Sequence, residues 1–112
     1  MVVFLTRDLM ILSSARSAMP QDGVLQQAAT VQRLQEIVSE NEIRLVLVDL
    51  QTPELQLQEL HGVLAGADLL EQSVLFAQHV NVETLKRARE TFPMVITRGQ
   101  LNTRLPEFFA NL

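Results

Sequence analysis

Hydrophobic residues follow two alternating patterns along the chain, short continuous runs and longer stretches with helical spacing. The short runs are rich in β-branched and aliphatic side chains, which is typical of buried strands. They lie at 2–5, 24–29, 43–49, 74–77 and 94–97. Between and after these runs, apolar residues recur every three or four positions, which predicts helices. The alternation predicts an α/β domain.

Capping and stop residues indicate where the first two helices begin and end. Asp8 can cap a first helix, and Pro20 follows its last apolar position. Thr30 can cap a second helix in the same way, since Ser, Thr, Asp and Asn accept hydrogen bonds from the free N–H groups of the first turn.

The third run, which ends in Asp49, is almost purely aliphatic. This composition predicts a strand in the middle of a parallel sheet, with both faces buried. Thr52, Pro53 and Glu54 follow it. They provide a cap, a proline for the first helical position and an acid for the first turn, so we expect the third helix to begin at this point.

The fourth helix is expected between an Asn81 cap and a stop at Pro93. After the fifth run, Gly99 is expected to form a turn, and the last helix to span 101–112. Pro106 lies within this stretch, which predicts that the helix starts late or has a bent first turn.

Five strands that alternate with five helices leave only short loops in 112 residues. Short crossover connections favour an open, doubly wound parallel sheet with helices on both faces. We predict the strand order 2-1-3-4-5 and one domain over residues 1–112. In such a sheet, ligands bind at the carboxyl ends of the strands, near the first and third strands.

Polar residues follow the carboxyl ends of the predicted strands. They are Thr6, Arg7 and Asp8 after the first strand, Asp49 after the third, Gln78 and His79 after the fourth, and Arg98 after the fifth. Carboxylates, amides and guanidinium groups at one edge suit a phosphate or metal site, or a cluster of ions that neutralise one another.

The segment Asp49-Leu50-Gln51-Thr52-Pro53 resembles the phospho-acceptor segment of receiver domains from two-component response regulators. In that family an aspartate ends the third strand and a proline lies four residues further on. The order and lengths of the elements extend the resemblance to essentially the whole chain. The resemblance implies that Asp49 is the candidate phospho-acceptor.

Three other positions depart from the receiver pattern. The family has an acidic pair after the first strand, where this chain has Thr6 and Arg7. Gln78 replaces the family's Ser or Thr, and Arg98 with Gly99 replaces its Lys-Pro pair. Because phosphoryl transfer depends on positioning and charge neutralisation, these changes point to a pseudo-receiver.

The departures bear on metal binding and on the charge of Asp49. Mg²⁺ prefers several oxygen ligands, and Asp49 has at most Asp8 as a carboxylate partner. We therefore expect no cofactor, and a Mg²⁺ ion on Asp8 and Asp49 only if the domain is a working receiver. A buried carboxylate needs compensation, so we expect Asp49 to form an ion pair with Arg7 or Arg98.

Composition excludes several classes of function. The net charge is −4 and the pI is about 5.0, which argues against binding to nucleic acid or to anionic membranes. There is no Cys, no long apolar segment and no glycine-rich nucleotide-binding motif. The short apolar start lacks the features of a signal peptide, and we expect a cytoplasmic protein.

Our leading hypothesis is a stand-alone pseudo-receiver that acts as a signalling or interaction module and not as an enzyme. The alternatives are a working receiver phosphorylated on Asp49 and a flavodoxin-like protein that binds a small ligand. By resemblance to receivers, we expect a protein partner or a second copy to bind the last helices. The candidate interface residues are Lys86, Arg87, Phe108 and Phe109.

Overall fold

The computed structural model describes all 112 residues of the chain as an alternation of strands and helices. The strands are β1 (Val2–Leu5), β2 (Leu25–Ala28), β3 (Leu45–Asp49), β4 (Ser73–Ala77) and β5 (Val95–Thr97). The helices are α1 (Leu9–Ala18), α2 (Val31–Glu40), α3 (Leu57–Gly66), α4 (Val82–Arg89) and α5 (Arg98–Ala110), with a short 3₁₀ helix at Leu70–Gln72. None of the helices has the length and apolar content needed to span a bilayer.

The five strands form one parallel sheet in the order β2-β1-β3-β4-β5, as predicted. The central strand β3 is buried along its whole length, which explains its nearly pure aliphatic sequence. Leu5 of β1 pairs with Val48 of β3. This register places the next residues, Thr6 and Asp49, side by side at the carboxyl edge of the sheet.

Alternate side chains of β3 pack on opposite faces of the sheet, because successive side chains of a strand point to opposite sides. Val46 and Val48 belong to a core of 19 buried residues that includes residues of α2, α3 and α4. Leu45 and Leu47 belong to a second core, of 13 buried residues, with residues of α1 and α5. The helices therefore cover both faces, as expected for a doubly wound sheet.

The predicted start of the third helix is wrong. α3 begins at Leu57, and the residues that we expected in its first turn form a loop after β3. The Thr52 hydroxyl donates back to the Asp49 carbonyl oxygen at 2.7 Å, so it does not cap a helix. Glu54 has a φ of 63°, a left-handed conformation that interrupts any helix through this position.

The last helix also differs from the prediction. α5 begins at Arg98, so Gly99 lies in its first turn and not in a separate turn. Thr97 caps α5, and Pro106 is accommodated inside the helix. The fourth helix has the predicted position, but its cap residue Asn81 makes no side-chain hydrogen bond to the first turn.

The fold predicts a large difference between two Leu→Ala substitutions. Leu47 is fully buried in β3, whereas Leu9 in α1 is 68% exposed. We expect Leu47→Ala to lower the free energy of unfolding by about 2–5 kcal/mol, because it leaves a cavity in a packed core. Leu9→Ala should change it by less than about 0.5 kcal/mol. Urea denaturation measures both, and equal losses would contradict the assignment of β3 to the centre of the sheet.

Candidate functional site

The side chain of Asp49 accepts two hydrogen bonds, one from a residue that follows β3 and one from a residue that follows the neighbouring strand β1. The Thr6 hydroxyl donates to Asp49 Oδ2 at 2.9 Å, and the backbone N–H of Gln51 donates to Oδ1 at 3.0 Å. Thr6 is fully buried, and Asp49 is only 8% exposed. Both carboxylate oxygens therefore have a donor, and neither donor carries a charge.

Thr6 is the link between Asp49 and the start of α1. Its hydroxyl oxygen accepts a hydrogen bond from the backbone N–H of Asp8 at 3.0 Å while its proton points to Asp49. Its carbonyl oxygen accepts from the Gln27 side chain of the neighbouring strand β2 at 2.8 Å. The position of Thr6 is therefore fixed from three sides.

Asp8 caps α1, as the sequence predicts. Its Oδ1 accepts from the backbone N–H groups of Met10 and Ile11 at 3.0 and 3.3 Å. Its Oδ2 accepts from Arg98 Nη2 at 3.1 Å, and the two side chains form an ion pair that is about one-third exposed. The N–H of Ile11, with smaller contributions from Met10 and Arg98, lowers the pKa of Asp8 below its ordinary value of 3.8.

A capping box places Arg98 opposite Asp8. The Thr97 hydroxyl accepts from the backbone N–H of Gln100 at 3.2 Å, and the Gln100 side chain accepts from the backbone N–H of Thr97 at 2.9 Å. This arrangement starts α5 at Arg98. The spacing of Thr97 and Gln100 that is typical of a capping box is present in the sequence. We did not infer a helix start at this point because we expected a turn at Gly99.

Two further rim residues make contacts that involve the backbone. Arg7 is exposed, and its Nε donates to the carbonyl oxygen of Ala29, beyond the end of β2, at 3.0 Å. The backbone N–H of Gln78 donates to the Gln51 side chain at 3.3 Å, which ties the loop after β3 to the end of β4. The side chain of Gln78 is exposed.

These residues surround a polar cleft of about 370 Å³ at the carboxyl edge of the sheet. Its lining consists of Arg7, Asp8, Asp49, Gln51, Thr52, Pro53, Gln78 and Arg98. The structure therefore brings together every rim residue that the sequence singled out except Thr6, which lies beneath the cleft, and His79, which is exposed beside it.

The expected ion pair of Asp49 is wrong. None of the four ion pairs in the structure includes Asp49 or Arg7. Arg98 pairs with Asp8 instead. The buried carboxylate of Asp49 is compensated by the hydroxyl of Thr6 and a backbone N–H, which are sufficient donors without a neighbouring cation.

The residues of the cleft do not fit a Mg²⁺ ion. No group of three or more His, Cys, Asp or Glu side chains is placed to hold a metal. Of the two carboxylates, Asp8 already accepts from the α1 backbone and from Arg98, and Asp49 accepts from Thr6. Mg²⁺ requires near-octahedral oxygen coordination, which this arrangement does not supply.

The interface candidates on α4 and α5 differ in exposure. Lys86 and Arg87 are exposed on α4. Phe109 is only 3% exposed and belongs to the core, so its proposed role as a surface anchor is wrong. Phe108 is partly buried, and the guanidinium carbon of Arg104 lies 4.7 Å from the centre of its ring.

The link through Thr6 predicts different effects of two substitutions. Thr6→Val removes the donor to Asp49 and the acceptor for Asp8, so we expect a loss of about 1.5–3 kcal/mol in the free energy of unfolding. Thr6→Ser keeps the hydroxyl and removes one methyl group, for a loss of about 0.8 kcal/mol. Urea denaturation at pH 7 measures both, and a Val variant as stable as the Ser variant would contradict the role of the hydroxyl.

The lowered pKa of Asp8 predicts a pH dependence of stability. The ionised carboxylate stabilises the fold above the ordinary pKa of 3.8, and this contribution is lost as the pH falls through the lower pKa of the folded chain. Asp8→Ala should cost about 1 kcal/mol at pH 7 through loss of the cap, and Asp8→Asn should cost less.

Denaturation curves between pH 7 and pH 3 test this expectation, with Asp8→Asn as the uncharged control that keeps the cap. The difference in stability between the natural chain and Asp8→Asn should shrink below pH 3.8. A difference that stays constant over this range would show that the charge of Asp8 contributes nothing.

Comparison with known proteins gives a clear result for the fold only. No family model matches the chain, and no curated protein matches it. Among solved structures, the beryllofluoride-activated NtrC4 receiver domain dimer aligns with a TM-score of 0.74 at 13% identity, over 98% of this chain and 96% of that one. A CheY-like receiver domain protein from Methanospirillum hungatei JF-1 aligns with a TM-score of 0.69 at 14% identity, over 99% and 97%.

A longer protein, NtrX from Brucella abortus, aligns with a TM-score of 0.71 at 17% identity. The alignment covers 98% of this chain and 28% of that one. The sheet order agrees with these similarities. The chain therefore has the fold of response regulator receiver domains.

Proposed function

We propose that the chain is a pseudo-receiver, a signalling or interaction module that does not carry out ordinary phosphoryl transfer on Asp49. The main support is the engagement of Asp8, the second carboxylate of the cleft. It accepts hydrogen bonds from two backbone N–H groups of α1 and from the guanidinium of Arg98. A carboxylate with these partners has little capacity left for a metal ion.

Phosphoryl transfer depends on neutralising the charge of the transferred group and on placing the attacking oxygen in line with it. In receivers an acidic pair supplies the metal ligands, and here Thr6 and Arg7 occupy those positions. Thr6 is uncharged, and Arg7 adds a fixed positive charge that disfavours a divalent cation. These two residues therefore support the loss of ordinary phosphoryl transfer.

The oxygens of Asp49 are also poorly prepared for attack on a phosphoryl donor. Oδ2 accepts from the buried Thr6 hydroxyl and Oδ1 accepts from the Gln51 N–H. Attack by either oxygen would weaken a hydrogen bond in a site that is only 8% exposed. This arrangement suits a structural role for Asp49 better than a role as phospho-acceptor.

A role in protein interaction is supported by the fold and by the exposed cations on α4. The NtrC4 structure is that of a dimer, and the NtrX chain extends well beyond the part that aligns with this chain. We propose the same kind of partner for the present chain, either a second copy or another protein. Lys86 and Arg87 are exposed and form no ion pair, so they are available to an acidic partner.

Incubation with acetyl phosphate and Mg²⁺, followed by intact-mass measurement, tests the loss of phosphotransfer. We expect the mass of the chain to stay unchanged because the side chains beside Asp49 do not suit a metal ion. Asp49→Asn serves as the matched control, since it removes the acceptor oxygen and keeps the shape of the side chain.

An adduct of one phosphoryl group on the natural chain that is absent from Asp49→Asn would contradict the proposal. It would instead support a working receiver in which Asp8 and Asp49 hold the metal. An adduct of equal yield on both chains would indicate modification elsewhere and leave Asp49 without a role in transfer.

A further inference from the structure

The strand β2 is the outermost strand on one side of the sheet, and half of its backbone groups face away from the sheet. β2 pairs with β1 only. The carbonyl oxygens of Val24 and Ala28 accept hydrogen bonds from the β1 segment at 2.9 and 3.1 Å. Because alternate residues of a parallel strand bond to the same neighbour, the N–H and C=O groups of Leu25 and Gln27 face away from β1. We call these groups the free edge of β2.

The side chains of the molecule leave the free edge of β2 open. Along this side, the bond from a side chain is at Ala29, beyond the strand, whose carbonyl oxygen accepts from Arg7. The Gln27 side chain turns towards β1 and donates to the carbonyl oxygen of Thr6. A row of unpaired N–H and C=O groups in water is a template for a further strand.

The strand at the other side of the sheet, β5, is protected by its own neighbours. It has only three residues. The Met94 carbonyl oxygen accepts from β4, so Val95 and Thr97 face away from the sheet. The Val95 carbonyl oxygen accepts from Arg89 Nε at 3.4 Å, and the Thr97 N–H donates to the Gln100 side chain at 2.9 Å. The two outer strands therefore differ, and only β2 is left open.

The sequence around β2 lacks the features that keep outer strands apart. Residues 23–32 include no charged residue and no proline. Natural sheets protect their outer strands with Lys, Pro or a bulge, and β2 pairs with β1 in a regular register without a bulge. The net charge of −4 lies entirely outside this segment. Two copies of this acidic chain can therefore meet at β2 without like-charge repulsion.

A second copy related by a two-fold axis at Gln26 would pair with every group of the free edge. Two-fold symmetry makes the two strands antiparallel, so Leu25 of each copy lies opposite Gln27 of the other and exchanges hydrogen bonds with it. Gln26 then lies opposite Gln26 of the second copy. A Gln amide both donates and accepts, so it can bond to an identical amide. The free edge is therefore complementary to itself.

The same register places an exposed apolar side chain against the second copy. Val24 is 55% exposed and directly precedes β2. In the antiparallel pair it lies opposite Ala28 of the second copy. Part of its apolar surface is then removed from water, which favours association.

We infer that the free edge of β2 is a dimer interface, through which two copies of this chain join their sheets by antiparallel pairing of β2. This inference rests on the proposed function as an interaction module, and it identifies the partner as a second copy and the surface as β2. The helix α4 packs on β4 and β5, at the other side of the sheet. Lys86 and Arg87 therefore stay available to an acidic partner.

Charge-swap variants of Gln26 test the interface by sedimentation equilibrium of the full chain over a series of concentrations. We expect the natural chain to dimerise. Gln26→Lys and Gln26→Glu each place like charges across the two-fold axis, and each should raise the dissociation constant of the dimer by about tenfold or more. An equimolar mixture of the two variants should associate again, because opposite charges then face each other. Thermal unfolding verifies that each variant is folded.

A disulfide tests the register independently. The chain has no Cys, so Gln26→Cys introduces a single thiol. The predicted pairing brings the two Cα atoms at position 26 to about 4.5 Å from each other, which a disulfide can bridge. Under oxidation by copper–phenanthroline we expect a covalent dimer on a non-reducing gel. Gln58→Cys, at an exposed position on α3, is the matched control and should stay monomeric.

Four outcomes would overturn the inference. They are a natural chain that stays monomeric over the whole series, a dimer that both charged variants leave unchanged, a mixture of the two variants that stays monomeric, and an equal yield of disulfide at positions 26 and 58. The phosphoryl adduct on Asp49 is measured separately. An adduct together with the expected dimer would refute the loss of phosphotransfer and leave the interface supported.

Discussion

The buried hydroxyl of Thr6 is the interaction on which the carboxyl edge of the sheet depends. It donates to Asp49 and accepts from the backbone N–H of Asp8, so it joins the ends of β1 and β3 to the start of α1. The carboxylate of Asp8 then extends the connection to Arg98 at the start of α5. A buried carboxylate is costly without donors, and this chain of contacts supplies them without a metal ion.

This network also explains how a receiver fold accommodates residues at its carboxyl edge that differ from the receiver pattern. The parallel sheet places five strand ends at one edge whatever residues follow them. Polar residues at that edge still need partners. Here an ion pair between Asp8 and Arg98 and the hydroxyl of Thr6 satisfy them, and the cleft is polar and lined in part by Arg7 and Arg98.

The sequence predicted the fold well because the signals for it are local. The aliphatic composition of β3 identified the central strand, and Asp8 was recognised as a cap from its position before an apolar helix. The partner of Asp49 could not be predicted in this way, because Thr6 lies 43 residues away and charge alone favoured an arginine. The prediction of where α3 begins was wrong for a related reason. The Thr52 hydroxyl donates back to the Asp49 carbonyl oxygen instead of capping a helix.

The most direct test of the central claim is a titration of the ¹⁵N-labelled chain with Mn²⁺, followed by NMR. A bound paramagnetic ion broadens the amide resonances close to it. If the contacts of Thr6, Asp8 and Arg98 have replaced a metal site, the amides of Asp8, Asp49 and Gln51 should broaden no more than those of exposed acids elsewhere, such as Glu83 on α4. Selective broadening of these amides at a stoichiometric amount of Mn²⁺ would contradict the account.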